Sequence, residues 1–283
     1  MIHNMQNPLV SVIIPAYNHE KYILAALESV VNQSYKNIQL IVINDGSKDR
    51  TASIIQSFVM LHQDRDIVFI DKDNEGVSKT LNLGLLKAKG CYVAFLASDD
   101  VWKPNKIEKQ VRFLELHPEI GMVFTDANFL HEDNVVKGRW SEYKPELRKL
   151  FTNGIQNKNL YIELMIHTVI PASTVMVSIS CLKRIGGFDA NLAIEDDDLW
   201  WRIAREFPIG YLNEPLAFYR EHTTNISKNS LYMLKWYISA LRKHFREPPL
   251  VGKPLIQLWV LSRAGVAMFL KRCERIIYRN IGV

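Results

Sequence analysis

The sequence predicts an α/β fold in which a mostly parallel central sheet is flanked by helices. Along the first hundred residues, apolar β-branched runs alternate with segments whose apolar residues recur at helical spacing. Such alternation is typical of right-handed βαβ units, which bring parallel strands into one buried sheet. The chain has 283 residues, 48% of them hydrophobic and 23% charged, which suits one large α/β domain or two small ones.

Each predicted element follows from a local pattern. A first strand is predicted from LVSVIIPAYN, which Pro15 stops, and three more from IQLIVIND, DIVFIDKD and CYVAFLASDD. A helix is expected over residues 21–32, where apolar residues recur every three or four positions. A second helix follows GSKDR, where Ser47 or Asp49 can cap it, and a third ends at Gly90.

Charge and cysteine content exclude some function classes. Residues 231–283 hold ten lysines and arginines against two glutamates, a net charge of +8, whereas residues 1–230 carry −3. A protein that coats nucleic acid would more often carry its basic residues on the main domain, so no nucleic-acid partner is expected. Three cysteines without a CxxC pair argue against structural zinc or a disulfide framework and fit a reducing cytoplasm. No secretory signal is expected, because no basic segment precedes an apolar run at the N-terminus.

Polar residues stand at the ends of three predicted strands, in PAYN, NDGS and SDD. Ligands of open α/β sheets bind beyond the carboxyl ends of the strands, so Asp45 and Asp99 should converge on one edge. Carboxylates there suit Mg²⁺ or Mn²⁺ held together with substrate phosphates. A helix cap or Asx turn is the better explanation for any one aspartate, but three together favour a ligand site. Neither GxGxxG nor GxxxxGK[ST] occurs, so dinucleotide and P-loop binding are not expected.

The motifs of residues 8–230 resemble those of family 2 glycosyltransferases, which have the GT-A fold. The stretches that carry the resemblance, in order, are VSVIIPAYN, VINDGSKDRT, NEGVSKTLNLGLLKAKG, CYVAFLASDD, IGGFDANLAIEDDDLWWRIA and YREHTTNIS. The resemblance implies a Rossmann-like sheet within residues 1–230, followed by a C-terminal helical extension. Within that domain, about 8–120 would bind the nucleotide sugar, and 121–230 would bind the acceptor and supply the catalytic base.

The resemblance also implies a donor site. Pro15, Ala16, Tyr17 and Asn18 match the loop that contacts the base and ribose. Asp45 matches the aspartate that accepts a hydrogen bond from the base, usually uracil.

LASDD matches the segment that usually contains an Asp-x-Asp motif. Asp99 is thereby expected to bind the metal, Mn²⁺ or Mg²⁺, with Asp100 beside it and Ser98 at the donor. Ala97 stands where the motif normally has its first aspartate. This departure leaves open a non-catalytic homologue that binds nucleotide sugars or acts as a scaffold. Lys79 matches a polar position near the donor.

The segment AIEDDDLWWRIARE supplies the expected catalytic base. If these acidic residues had only a structural role, they would stabilise the N-terminus of a helix through the helix dipole. In the family comparison Glu195 and Asp196 match a Glu-Asp pair, and Asp196 is implied to deprotonate the acceptor hydroxyl in an inverting displacement. Asp198 and Arg202, four residues apart, are predicted to form a structural ion pair.

FYREHTTNIS resembles the late loop that folds over the diphosphate. Arg220 is implied to contact phosphate and His222 to contact phosphate or metal, although a lone histidine is more often structural. The segment HTVIPASTVMVS, residues 167–178, is predicted to be β-rich and to pass under the site.

Residues 231–283 are predicted to form a basic amphipathic helical tail. Its first helix would bury one apolar face, made of Leu231, Leu234, Ile238, Leu241 and Phe245. The apolar run 255–270 is too short to span a bilayer, so the tail either lies on a membrane surface or packs on the domain.

The sequence therefore predicts a metal-dependent inverting glycosyltransferase. The resemblance implies a nucleotide-sugar donor, usually UDP-linked in this family, and as acceptor a hydroxyl of a glycan or lipid-linked saccharide. The expected setting is synthesis of a cell-surface polysaccharide such as O-antigen or lipopolysaccharide, in the cytoplasm or at the inner face of the membrane. Nucleotidyl transfer is a third hypothesis, which no glycine-rich activating loop supports.

Overall fold

A computed structural model describes residues 7–156, 160–250 and 252–263 of the chain. Its strands are β1 (Val10–Ala16), β2 (Ile38–Asp45), β3 (Asp66–Lys72), β4 (Tyr92–Phe95), β5 (Val101–Trp102), β6 (Met122–His131), β7 (Val136–Arg139), β8 (Gly154–Gln156), β9 (Met176–Ser178) and β10 (Ile209–Glu221). Its helices are α1 (Ile23–Val31), α2 (Thr51–Leu61), α3 (Val77–Lys87), α4 (Lys106–Leu116), α5 (Trp140–Tyr143), α6 (Pro145–Leu150), α7 (Tyr161–Ile166), α8 (Ile179–Ile185), α9 (Glu195–Glu206) and α10 (Ser230–Phe245). Residues 254–263 are also helical.

One mixed sheet organises the molecule, in the order β3-β2-β1-β4-β9-β6-β10-β5. The first four strands are parallel to their neighbours, and β6 and β10 are parallel to each other. Strand β9 runs antiparallel between β4 and β6, and so joins the two parallel halves. The predicted α/β fold with a mostly parallel sheet is confirmed, and the carboxyl ends of β1, β2 and β4 lie along one edge.

Strands β1 and β2 lie between two apolar cores, which explains their unbroken apolar sequence. Ile13 and Ile41 face the core that contains Trp200, whereas Val12 and Val42 face the core beneath α1 and α2. Burying each such side chain contributes about 1.5–3 kcal/mol to stability. Helix α3 packs closely on β1 at Gly84. A Cβ added to Gly84 would stand only 2.6 Å from Cγ2 of Ile13, so this approach requires a glycine.

The segment 167–178 contains less strand than predicted. A 3₁₀ turn occupies Ala172–Thr174, and only Met176–Ser178 joins the sheet as β9. Pro171, which precedes the turn, has no N–H to donate to a ladder, which is consistent with the late start of the strand. The turn packs against β4, β6 and β10, so it lies beneath the loop that follows β4.

The tail begins with a helix that packs on the domain. The buried residues of α10 are Tyr237, Ala240, Leu241 and His244, whereas Leu231 is 75% exposed. On the predicted apolar face Leu241 is buried and Leu234, Ile238 and Phe245 are half-buried, so that face contacts the domain except at Leu231. No helix within the described ranges is both long enough and apolar enough to cross a membrane. The expectations for the rest of the tail fall on residues 264–283, outside the described residues.

Candidate active site

Three side chains that can ligate a metal meet at the carboxyl edge of the sheet. His19 follows β1, Asp99 follows β4 and His222 follows β10; each offers one ligand atom, and these atoms lie within 4.8 Å of one another. Nε2 of His222 stands 2.9 Å from Oδ2 of Asp99. Two imidazoles and one carboxylate form a donor set that suits a divalent transition metal. The residues present therefore fit a cation such as Mn²⁺.

The loop after β10 fixes the orientation of His222. The Nδ1 atom of His222 lies 2.8 Å from the hydroxyl of Thr224, and the amide of Asn225 bridges its backbone and the carbonyl of Arg220. The ring stacks on Tyr22, with 4.9 Å between the ring centroids. His222 is 3% exposed, so the ring is held from both sides.

His19 is held by the edge of the sheet and by the loop after β4. Its backbone N–H donates to the hydroxyl of Thr51 at 2.9 Å, and its Nδ1 lies 2.7 Å from the hydroxyl of Ser98. Burial lowers the pKa of His19, although the charge of Asp99 acts in the opposite direction. The neutral ring, which is the form that binds metals, is therefore favoured.

Asp100 lies beneath this cluster and is bound by protein donors. Its Oδ2 accepts the hydroxyl proton of Ser173 at 2.5 Å, and its Oδ1 accepts the backbone N–H of Arg220 at 2.7 Å. Ser173 also accepts the N–H of Ala97. Burial and the neighbouring charge of Asp99 raise the pKa of Asp100. Asp100 thus helps to position the loop of Asp99, and its expected contact with the metal stays a prediction.

Arg220 is 4% exposed and turned toward the protein. Its Nε donates to the carbonyl of Asp99 at 2.8 Å, and one terminal nitrogen donates to Asn134 at 2.8 Å. The guanidinium also lies 5.1 Å from the ring centroid of Tyr22. Arg220 thus ties the loop of Asp99 to β10, and its predicted contact with phosphate stays a prediction.

Asp45, at the end of β2, organises the loop that follows β3. Its carboxylate accepts hydrogen bonds from the ammonium of Lys72 at 2.5 Å and from the backbone N–H groups of Glu75 and Gly76 at 2.9 and 3.0 Å. Burial raises the pKa of Asp45, but the hydrogen bonds from Lys72 and the backbone outweigh it, so the pKa lies below its usual range. A contact with the base remains a prediction.

The other predicted donor residues lie along the same edge. Pro15 and Ala16 end β1, and Asn18 has a positive φ of 54° that turns the chain toward the loop after β2. There the Asn18 N–H donates to Ser47 at 2.9 Å, which links the β1 and β2 edges. Tyr17 is 46% exposed. Lys79, in the first turn of α3, is exposed and pairs with a glutamate at 3.7 Å.

Glu195 and Asp196 form the first turn of α9 and are half-buried. Burial raises the pKa of both carboxyl groups, and the charge of Asp196 raises that of Glu195 further. Tyr219 links them to the metal-ligand cluster: burial raises the pKa of its hydroxyl, and the charges of Asp100, Asp99 and Asp196 add to this effect. Asp196 therefore lies within electrostatic reach of the same tyrosine as Asp99.

Asp198 points away from the site, into the domain. Its carboxylate pairs with Arg202 at 2.9 Å, with Lys243 at 2.9 Å and with His244 at 2.9 Å. The predicted ion pair between Asp198 and Arg202 is confirmed. Burial opposes ionisation, but these hydrogen bonds and charges keep the pKa far below its usual range.

Sequence reasoning missed three residues of the site. His19 enters the cluster, Ser173 holds Asp100, and Tyr22 stacks on His222. Only His19 carried a local signal, because it directly follows PAYN at the end of β1. The other two act through contacts that join distant parts of the chain.

Comparisons with known proteins extend over most of the chain. A family model described as glycosyl transferase family 2 matches residues 11–170. An uncharacterized glycosyltransferase of Rickettsia prowazekii is 32% identical over 282 residues, covering 96% of this chain and 83% of the relative. TuaG of Bacillus subtilis, whose name assigns it to teichuronic acid biosynthesis, is 30% identical, with 82% of this chain and 87% of TuaG covered.

Two solved structures show the same fold. The mannosyltransferase PcManGT from Pyrobaculum calidifontis, in complex with GDP-Man and Mn²⁺, has a TM-score of 0.68 at 19% identity, covering 92% of this chain and 74% of PcManGT. S. aureus TarS 1–349 in complex with UDP-GlcNAc has a TM-score of 0.65 at 18% identity, covering 90% of this chain and 72% of TarS 1–349. At these identities the likeness concerns the fold alone.

Proposed function

This chain belongs to glycosyltransferase family 2 and has the GT-A fold, and from that premise we propose that it moves a sugar from a nucleotide sugar to an acceptor hydroxyl with inversion. The observation that carries the proposal is the cluster of His19, Asp99 and His222 at the carboxyl edge of the sheet, whose ligand atoms lie within 4.8 Å of one another. The charges of Asp99, in the loop after β4, and of Asp196, in the first turn of α9, both raise the pKa of the Tyr219 hydroxyl, which supports their lying near the same site. One carboxylate is thus available for a metal-bound donor and the other for the acceptor.

Asp99 and His222 are the proposed ligands of a divalent cation. Their ligand atoms are 2.9 Å apart; Tyr22 stacks on the ring of His222, and Arg220 donates to the backbone carbonyl of Asp99. When bound, such a cation acts as a Lewis acid that offsets the charge of the departing diphosphate. Arg220 and Asp100 keep the loop of Asp99 in place, so the ligand geometry is formed before the donor arrives.

Asp196 is the proposed general base. Burial raises the pKa of its carboxyl group, and a carboxylate with a raised pKa is a stronger base than an ordinary one. It would take the acceptor proton as the new bond to the anomeric carbon forms. Glu195, whose pKa is raised by burial and by Asp196, would carry the proton that the pair shares at lower pH.

A uridine diphosphate sugar is the proposed donor. TarS binds UDP-GlcNAc and PcManGT binds GDP-Man with Mn²⁺, which supports a nucleotide sugar and a divalent metal. The loops of Pro15–Asn18 and Asp45 would hold the nucleoside, because they stand beside the metal cluster at the carboxyl edge of the sheet. Lys79 and Ser98 would line the same groove.

The proposed acceptor is a glycan or lipid-linked saccharide used in polysaccharide synthesis. The name of TuaG, which refers to teichuronic acid biosynthesis, supports this class. In this proposal residues 8–120 bind the donor and 121–230 the acceptor. The helix over 254–263 exposes Leu255, Leu258 and Trp259 by 80%, 61% and 44%, and the tail is basic, which supports contact with an anionic membrane surface.

A donor screen tests the function. Nucleotide sugars with Mn²⁺ should raise the melting temperature, because a ligand that binds only the folded state stabilises it. The stabilising donor should also be hydrolysed slowly, releasing the nucleoside diphosphate. Release of pyrophosphate would indicate nucleotidyl transfer instead.

The second candidate is a non-catalytic nucleotide-sugar-binding protein, which Ala97 favours because the metal motif lacks one carboxylate. It predicts the same thermal shift without turnover of any donor, whether or not acceptor saccharides are added. Donor turnover that requires the metal would exclude it.

A further inference from the structure

His19 stands where the metal motif of the chain is incomplete. The segment LASDD has Ala97 at the position where a carboxylate is usual, and the next residue, Ser98, contacts His19. Nδ1 of the imidazole lies 2.7 Å from the Ser98 hydroxyl. His19 thus reaches from the end of β1 to the motif that lacks an acidic side chain.

The contacts of His19 are those of an oriented ligand. A hydrogen bond to one ring nitrogen fixes the tautomer and direction of a metal-ligating histidine, and Ser98 supplies such a bond. The ring meets the rings of His222 and Tyr22 edge-on, at 5.7 and 6.0 Å between centroids. The backbone N–H bond to Thr51 fixes the start of the side chain.

The separation of the three ligand atoms fits a single ion. Atoms about 2.1 Å from one cation lie up to about 4.2 Å apart. The ligand atoms of His19, Asp99 and His222 lie within 4.8 Å of one another. A pair 4.8 Å apart has to close by about half an ångström if its atoms bind trans to each other, and by more if they bind cis.

We infer that His19 is the third protein ligand of the cation, in the position that the missing carboxylate at Ala97 leaves open, and that the resulting site prefers Mn²⁺ to Mg²⁺. The inference rests on the proposed metal-dependent function. Mg²⁺ requires oxygen ligands in near-ideal octahedral geometry, whereas imidazole nitrogen suits transition metals. Two histidines and one aspartate give Mn²⁺ an advantage that an all-carboxylate motif would not.

Pulsed electron paramagnetic resonance of Mn²⁺ tests the ligand set without an activity assay. The full 283-residue chain, loaded with Mn²⁺ in the presence of UDP, should show the nitrogen couplings of two coordinated imidazoles. His19→Ala should reduce the count to one and raise the Mn²⁺ dissociation constant at least about tenfold. His222→Ala should also leave one imidazole. His117→Ala, at a histidine outside the cluster, is the matched control and should leave count and affinity unchanged.

A variant that restores the carboxylate at position 97 gives a second test of the metal preference. His19→Ala combined with Ala97→Asp should recover Mn²⁺ affinity relative to His19→Ala while keeping one imidazole. The ratio of the Mg²⁺ to the Mn²⁺ dissociation constant, measured by competition calorimetry, should fall several-fold in this double variant compared with the unsubstituted chain.

The outcomes separate the two proposals. A single imidazole in the unsubstituted chain would overturn the inference, whatever the variants do. Bound Mn²⁺ whose nitrogen couplings and affinity persist in His19→Ala would overturn it as well, and both results leave the proposed function standing. No Mn²⁺ binding with UDP would overturn the inference together with the metal-dependent mechanism.

Discussion

The first turn of α9 contains neighbouring carboxylates with opposite environments. Glu195 and Asp196 are half-buried and form no salt bridge with another described residue, and burial raises the pKa of both. Asp198, two residues beyond Asp196, is fully buried, yet Arg202, Lys243 and His244 lower its pKa. Burial alone therefore does not predict the reactivity of an acid, because its partners decide which protonation state is favoured.

The first way to test this comparison is to remove the unpaired acid. Asp196→Asn should lower kcat by about 10² to 10⁴-fold, because the acceptor proton loses its base. The melting temperature should stay the same or rise, since a buried charge without a partner has been removed. Steady-state kinetics with a donor from the screen and a thermal melt check both expectations. Unchanged turnover would rule out Asp196 as the base.

The paired acid should show the reverse pattern. Asp198→Ala leaves Arg202 and Lys243 without their buried partner, so the free energy of unfolding should fall by about 3–5 kcal/mol. Chemical denaturation measures this change. Arg184→Ala removes the exposed pair with Glu206 and serves as the control, with an expected loss of at most about 1 kcal/mol. Equal losses in the two variants would contradict the assignment.

The acids in the two environments should also change the stability of the fold in opposite directions as the pH falls. Groups with a raised pKa, Glu195 and Asp196, bind protons more readily when folded, so stability should rise as the pH falls through their folded pKa values. Asp198 has a lowered pKa, so its contribution is complete above the unfolded value near 3.8 and is lost as the pH falls below it. Stability should therefore pass through a maximum on acidification.

Denaturation curves at a series of pH values, for the unsubstituted chain and for Asp196→Asn, measure this profile. The increase in stability on acidification above pH 3.8 should be smaller in Asp196→Asn than in the unsubstituted chain. The decrease in stability below pH 3.8 should persist in the variant. The rate of sugar transfer should fall as the pH falls, because a protonated Asp196 accepts no proton. A monotonic stability profile in the unsubstituted chain would contradict the comparison.

The smallest effect is expected at a residue that only positions the metal loop. Ser173→Ala removes one hydrogen bond to Asp100 and one from Ala97, so the free energy of unfolding should fall by about 1–3 kcal/mol. The KM for the donor should rise more than kcat falls, because the loop of Asp99 loses part of its support. Ser29→Ala, which breaks one local bond in α1, is the control and should leave KM unchanged.

Local sequence patterns were sufficient to predict the parallel strands β1 to β4. Strand β2 coincides with IQLIVIND, and α1 lies within the predicted range 21–32, because both are fixed by burial of their own apolar residues. The ion pair of Asp198 with Arg202 was predictable for the same reason, since helix geometry alone brings the two together. The edge of the sheet that carries the site was predictable, because ligands of open α/β sheets bind beyond the carboxyl ends of the strands.

Long-range contacts were beyond the reach of such patterns. The burial of His244 on α10 was not predicted, because a hydrogen bond to Asp198 holds it there and apolar periodicity does not register a polar contact. The hydrogen bonds that Asp100 accepts from Ser173 and Arg220 were not predictable, because these residues lie 73 and 120 positions away. His19 was overlooked although it directly follows PAYN, because its contact with Ser98 joins residues 79 positions apart.

The two hydrogen bonds that hold Asp100 have a consequence for the newly synthesised protein. Ser173 supplies the first donor and Arg220 the second, and His222, which contacts Asp99, follows two residues later. A chain released from the ribosome before residue 222 would lack both the support of the Asp99 loop and one of its ligands. Unfinished copies should therefore neither capture nor waste activated sugar, so the capacity to consume donor appears only when the acceptor half has been made.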